Sequence, residues 1–356
     1  MTLRQLSASA GALLIALTCG CSSIGPRSLQ RDRFDYNAAI STSWKQQTLL
    51  NIVKIRYVDM PLFVEVSSVV SGYTLESQVN VGAIVPTRNV LGGDTITAGA
   101  SEKYIDRPTI TYVPITGQQF NRSFMRPIPP RIVLYLMQSG WRADVILPVI
   151  VDAMNGLRSQ VAAGSNRRDG DEGFYRAIKL LREIQKSGAV GMHISQRGGH
   201  ETTVLVFHEE GIAPEVETML AELRGLLGIE TEGATLEVIY SPVSQNKAQI
   251  AMLTRSMLQI MINLATLVDV PTEHVLEGRT PNAVAPEDET DRLMSIRHSR
   301  EQPDDAFVAV KYRNHWFYID DRDMQSKGVF AFLMILFSMS ETGDRPELPL
   351  VTIPSG

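Results

Sequence analysis

The chain has 356 residues, 44% of them hydrophobic and 21% charged, with a formal net charge of −5. That balance belongs to a folded protein with a sizeable core and excludes a disordered or fibrous chain. The basic residues are dispersed, and the densest pair, Arg167 and Arg168, is followed at once by Asp169, Asp171 and Glu172, so the sequence carries no electrostatic footprint for nucleic acid.

The N-terminus has the layout of an export signal. Arg4 supplies a short positive region, Leu6 to Leu17 an apolar one, and small residues follow. The apolar stretch is too short to cross a hydrocarbon core of ~30 Å as a helix. It ends in Leu17-Thr18-Cys19-Gly20-Cys21-Ser22-Ser23, which holds the only two cysteines. A disulfide between them would close a strained ring over one residue. A metal clip would need two more soft ligands, and the chain has no other cysteine.

The stretch resembles the lipobox of bacterial lipoproteins, with Gly20 as the small residue before Cys21. The resemblance covers residues 1–21. It implies a signal peptide at 1–20, cleavage before Cys21, and a diacylglycerol on its thiol. Ser22 implies sorting to the outer membrane, facing the periplasm. Lipidation at Cys21 would leave a mature chain without a free thiol, held in the membrane by its N-terminal acyl chains; one acyl chain alone holds only marginally.

Residues 21–33 read as anchor and tether. The sequence then predicts an α+β fold of mixed, mostly antiparallel sheets packed with helices. A helix is expected over Phe34 to Tyr57, with Asp35 as its N-cap and Asp59-Met60-Pro61 as its stop. Leu62 to Val70, Leu75 to Val85 and Thr109 to Ile115 read as three strands of a meander packed on that helix, with Pro86 to Lys103 as a Gly- and Thr-rich hairpin or loop. Helices follow over Arg131 to Gln138 and Ala143 to Leu157. The polar segment 159–173 is the best linker in the chain, and it could divide an N-terminal lobe, 34–158, from a C-terminal lobe, 174–356.

The second half alternates. Helices are expected over Phe174 to Ser187, Pro214 to Leu227, Gln249 to Val268 and Val329 to Met339. Val190 to Ser195 and Thr202 to Phe207 form one hairpin, and Ala306 to Lys311 and Trp316 to Ile319 another, around Tyr312-Arg313-Asn314-His315. Single strands are expected over Thr235 to Tyr240 and Val351 to Ile353.

No catalytic signature stands out. His193, His200, His208 and Glu209 are zinc-ligand types, but they lack the tight local spacing of zinc motifs, so no metal site is expected. Glycine-rich phosphate loops are absent too, so no cofactor is expected. His298 and Ser299 with Asp304 or Asp305 are the types of a nucleophilic triad, without a surrounding G-x-S-x-G. Asp320, Asp321 and Asp323 lie at a strand-to-helix junction, where Asp321 or Asp323 is expected to cap the helix. Arg255 is a charge inside an apolar segment and needs a partner, for which Asp320 and Glu273 are candidates. Arg255, His298, Asp320, Asp321 and Asp323 are therefore the residues from which a site could be built. The expected function is a non-enzymatic interaction or scaffold component of an envelope assembly, with other envelope proteins as partners. A periplasmic hydrolase or a binding module for a small envelope ligand are the alternatives.

Overall fold

The computed structural model describes residues 25–70, 73–84, 95–106, 109–161, 168–197, 200–207, 212–231, 235–281 and 292–340. Helix α1 (Gly25–Arg56) is the first described element. It starts nine residues before the expected Phe34, so Asp35 lies inside it and part of the expected tether is helical. Pro26 stands in the first turn, where its missing N–H removes no helical bond. Among the described side chains of α1, the fully buried ones lie near its C-terminal end: Leu49, Ile52 and Val53 have no exposed surface. Buried Asn51 then clamps the departing chain, donating to the Leu62 carbonyl at 2.8 Å and accepting from the Leu62 N–H at 3.0 Å.

Four strands follow: β1 (Val64–Val70), β2 (Tyr73–Ile84), β3 (Thr95–Asp106) and β4 (Thr109–Pro114). The expected meander is not formed. The strands pair in nested order as two two-stranded sheets, β1 with β4 and β2 with β3, both antiparallel. Much of the expected loop 86–103 is strand β3, because a backbone ladder asks little of its Gly and Thr side chains. Among the described residues neither β2 nor β3 pairs with a third strand.

A helical turn α2 (Gly117–Phe120) and a π-turn over Asn121–Met125 lead to α3 (Pro130–Gln138) and α4 (Ala143–Ile150). The expected helix to Leu157 stops at Ile150. Strands β5 (Val151–Met154) and β6 (Leu157–Arg158) follow, joined by Asn155 and Gly156 at φ 47° and 88°. This is the Asn-Gly hairpin signal, whose two positive φ angles match the twist of paired strands. Asn155 also ties the turn down: its amide donates to the carbonyls of Leu227 and Gln249 at 2.7 and 3.1 Å and accepts from the Ala251 N–H at 2.6 Å.

Helix α5 (Glu172–Ser187) ends at Gly188, whose φ of 74° is the left-handed stop expected of that residue. Then come β7 (Val190–Arg197), β8 (His200–Phe207), α6 (Pro214–Leu226), β9 (Thr235–Ile239) and β10 (Gln249–Thr254). The segment expected as one helix, Gln249 to Val268, is therefore a buried strand followed by α7 (Met257–Ala265). Ser256 divides them with a reciprocal capping box to Gln259. A continuous apolar run serves a buried strand as well as a buried helix, so its periodicity does not choose between them.

The six-stranded sheet has the order β6-β5-β10-β9-β8-β7, antiparallel except between β9 and β10. Its strands come from both sides of residues 159–173, which thus join parts of one layer instead of separating two lobes. Leu49 of α1, Ile150, Phe174, Leu236, Phe317 and Phe332 belong to one contiguous core.

The last described elements are α8 (Thr272–Leu276), β11 (Arg297–Ser299), β12 (Ala306–Tyr312), β13 (His315–Asp320) and α9 (Met324–Ser340). The last three strands form a second sheet, ordered β11-β13-β12, and α1 packs against β12 and α7. The expected hairpin at 312–315 is present, with Arg313 and Asn314 at φ 46° and 67°. The expected strand over 351–353 lies outside the described residues. Among the described residues no helix is long and apolar enough to cross a membrane. The fold is α+β.

Candidate functional site

The residues singled out from the sequence fall in two separate places. Arg255, 4% exposed, follows β10. One terminal nitrogen donates to the carbonyls of Pro148 and Val149 at 2.7 and 3.2 Å; the other donates to the Gln160 carbonyl at 3.0 Å and meets Asp152 at 3.4 Å. The expected partners, Asp320 and Glu273, are both engaged elsewhere. Arg255 fills the role of a C-terminal cap on α4, satisfying carbonyls that the helix leaves without donors. Burial lowers its pKa, opposed by the nearby Asp152 carboxylate.

His298, Asp320, Asp321 and Asp323 lie around the second sheet. His298 and Asp323 line a polar pocket of about 370 Å³ with Asp269, Arg292, Arg297 and Tyr318. His298 Nδ1 is 3.2 Å from Asp269. Asp320 accepts from the Arg322 N–H at 2.9 Å and pairs with Arg297 at 3.4 Å. That backbone N–H, with the two arginines, holds Asp320 below the usual carboxylate range. Asp321 pairs with Lys327 at 2.7 Å. Asp323 is the N-cap of α9: it accepts from the Ser326 N–H at 3.0 Å and from its hydroxyl at 2.6 Å, as a cap should.

The triad types do not assemble. The Ser299 hydroxyl donates to the Glu301 carbonyl, and Asp305 pairs with Arg322. Adjacent positions in a strand face opposite sides of the sheet, so His298 and Ser299 are poorly placed to act together. His193 and His200 stand on β7 and β8 opposite Val204 and Arg197; their side chains, and all of His208 and Glu209, lie outside the described residues.

The structure gathers a different group, which the sequence spacing hides. Glu273 and His274 lie on α8, and His315 opens β13. One potential ligand atom from each lies within 4.8 Å of the others. His274 and His315 are buried, 3% and 6% exposed, and their rings meet edge to face at 5.0 Å. His315 Nε2 is 3.5 Å from a Glu273 oxygen, and its Nδ1 is 3.3 Å from the Arg313 carbonyl. His274 Nδ1 is 2.7 Å from the Tyr57 hydroxyl. Burial, then the neighbouring His315 and Arg279, lower the His274 pKa. Burial pushes the Tyr57 hydroxyl up to about 12. Arg300 also reaches Glu273, at 3.1 Å. Glu273-His274 was visible as an adjacent pair, but only the α8–β13 packing brings His315 to it.

No family model matches the chain, and no curated protein or solved structure shows significant similarity to it.

Proposed function

We propose that the chain is a lipid-anchored outer-membrane lipoprotein, facing the periplasm, that serves as a non-enzymatic interaction component of an envelope assembly. The resemblance of Leu17 to Ser23 to a lipobox supports the place. The β2–β3 ribbon carries the role. Its two strands pair over twelve residues each, from Tyr73↔Asp106 to Ile84↔Thr95, yet among the described residues they form a sheet of their own. An isolated two-stranded ribbon is marginal in water, and its outer edges are rows of backbone donors and acceptors open to strand addition. The register places Val79, Val81 and Ala83 opposite Ala100, Ala98 and Ile96, so these positions share one face, the half-apolar pattern of a strand pair that is covered. Asp320, Asp321 and Asp323 are already held by arginines, a lysine or backbone N–H groups, and His298 and Ser299 do not assemble with a carboxylate as a triad, which favours a binding role over hydrolysis.

Two measurements test place and role separately. In cells, the Cys21→Ala protein is expected to leave the membrane fraction and to lose the mobility change of acylation; unchanged retention and migration would overturn the anchor. A photo-reactive residue in place of Asn80 or Gly99 is expected to give one discrete envelope-protein adduct from the anchored protein. Absence of any adduct from both strands would overturn the interaction role.

A further inference from the structure

We infer that Glu273, His274 and His315 form a binding site for a divalent first-row transition ion, zinc above all, which ties α8 to β13. The carbonyl of Arg313 can only accept, so Nδ1 of His315 carries the proton that faces it. In the neutral ring Nε2 is then an unprotonated acceptor, and it faces a carboxylate oxygen, also an acceptor, at 3.5 Å. Two acceptors opposed at this distance repel unless something positive lies between them. A tetrahedral zinc ion with bonds of about 2.1 Å sets its ligand atoms about 3.4 Å apart, which is the spacing found for this pair.

His274 completes the set. Its ring lies against that of His315, and the Tyr57 hydroxyl at Nδ1 can accept from Nδ1–H, an outer partner that would fix a metal-bound imidazole in the tautomer whose Nε2 lone pair serves the ion. Two imidazoles and one carboxylate select zinc and its neighbours over magnesium or calcium, which prefer oxygen alone. Glu273 is 47% exposed, so its side chain can swing to close the remaining distance, and a water molecule can fill the fourth position. The rival account is a protonated His315 paired with Glu273 and no ion at all.

The test uses the full chain carrying Cys19→Ser and Cys21→Ser, so that no thiol can bind metal. Metal-free protein is titrated with zinc chloride against a chromophoric chelator, and with cobalt(II) for its visible tetrahedral absorption. The expected result is one equivalent of zinc bound with micromolar or tighter affinity, tetrahedral cobalt absorption, a thermal midpoint raised by zinc, and no such response to magnesium. His274→Gln and His315→Gln are each expected to weaken zinc at least tenfold. Glu273→Gln, at a half-exposed position, is expected to do the same while keeping the metal-free thermal midpoint, which guards against a folding defect in the histidine variants. No stoichiometric zinc binding by the parent chain, or unchanged affinity in Glu273→Gln and both histidine variants, would overturn the site.

Discussion

Arg255 and His315 show how a single buried polar group takes its meaning from its neighbours. Each is nearly sealed from solvent, and a buried charge or ring nitrogen needs partners. Arg255 finds carbonyls at the end of α4 together with Asp152. Truncation would strand those carbonyls, so Arg255→Ala is expected to destabilise the protein by about 3–5 kcal/mol, read from urea unfolding. Arg255→Lys should recover only part of this, because one ammonium lacks the fork that reaches both sides. A loss below about 1 kcal/mol in the alanine variant would contradict the capping role. The charge was legible in the sequence as a residue needing partners. Their identity was not, since backbone carbonyls have no signature in the residue letters.

At the scale of elements, local chemistry and tertiary context divide the work unevenly. Gly188, Asp323 and the Arg313-Asn314 turn act where the sequence places them, because a left-handed stop, a helix cap and a hairpin turn are settled by a few adjacent residues. Asn155-Gly156 carries an equally local signal, but it sits at the end of an apolar run that reads as helix. Its weight can be measured. Asn155→Ala loses three hydrogen bonds and forces alanine to a positive φ, for an expected cost of about 3 kcal/mol. Asn155→Gly keeps the turn and loses only the bonds, so it should be the milder of the two by about 1 kcal/mol. Equal losses in chemical denaturation would show that the backbone conformation contributes nothing. The buried strand β10 was misread for the opposite reason: its burial on all sides erases the alternation by which strands are recognised.

For the whole molecule, the decisive event is the pairing of β5 with β10, which joins two halves divided by a polar segment. Fragments 25–161 and 168–340, expressed separately, are each expected to lack a cooperative thermal transition, because each would expose its share of one core and one open sheet edge. A sharp transition in either fragment would revive the reading of two lobes. The sequence by itself determined the α+β class, most helix and strand positions, and the cysteine pattern from which a membrane anchor is expected. Those properties rest on local preference, hydrophobic period and a short linear motif. Only the tertiary structure decided that the ribbon strands nest, that one sheet crosses the apparent linker, and that Glu273, His274 and His315 meet. These are contacts between residues distant in the chain, and they follow from how whole apolar faces fit together, which no local window records.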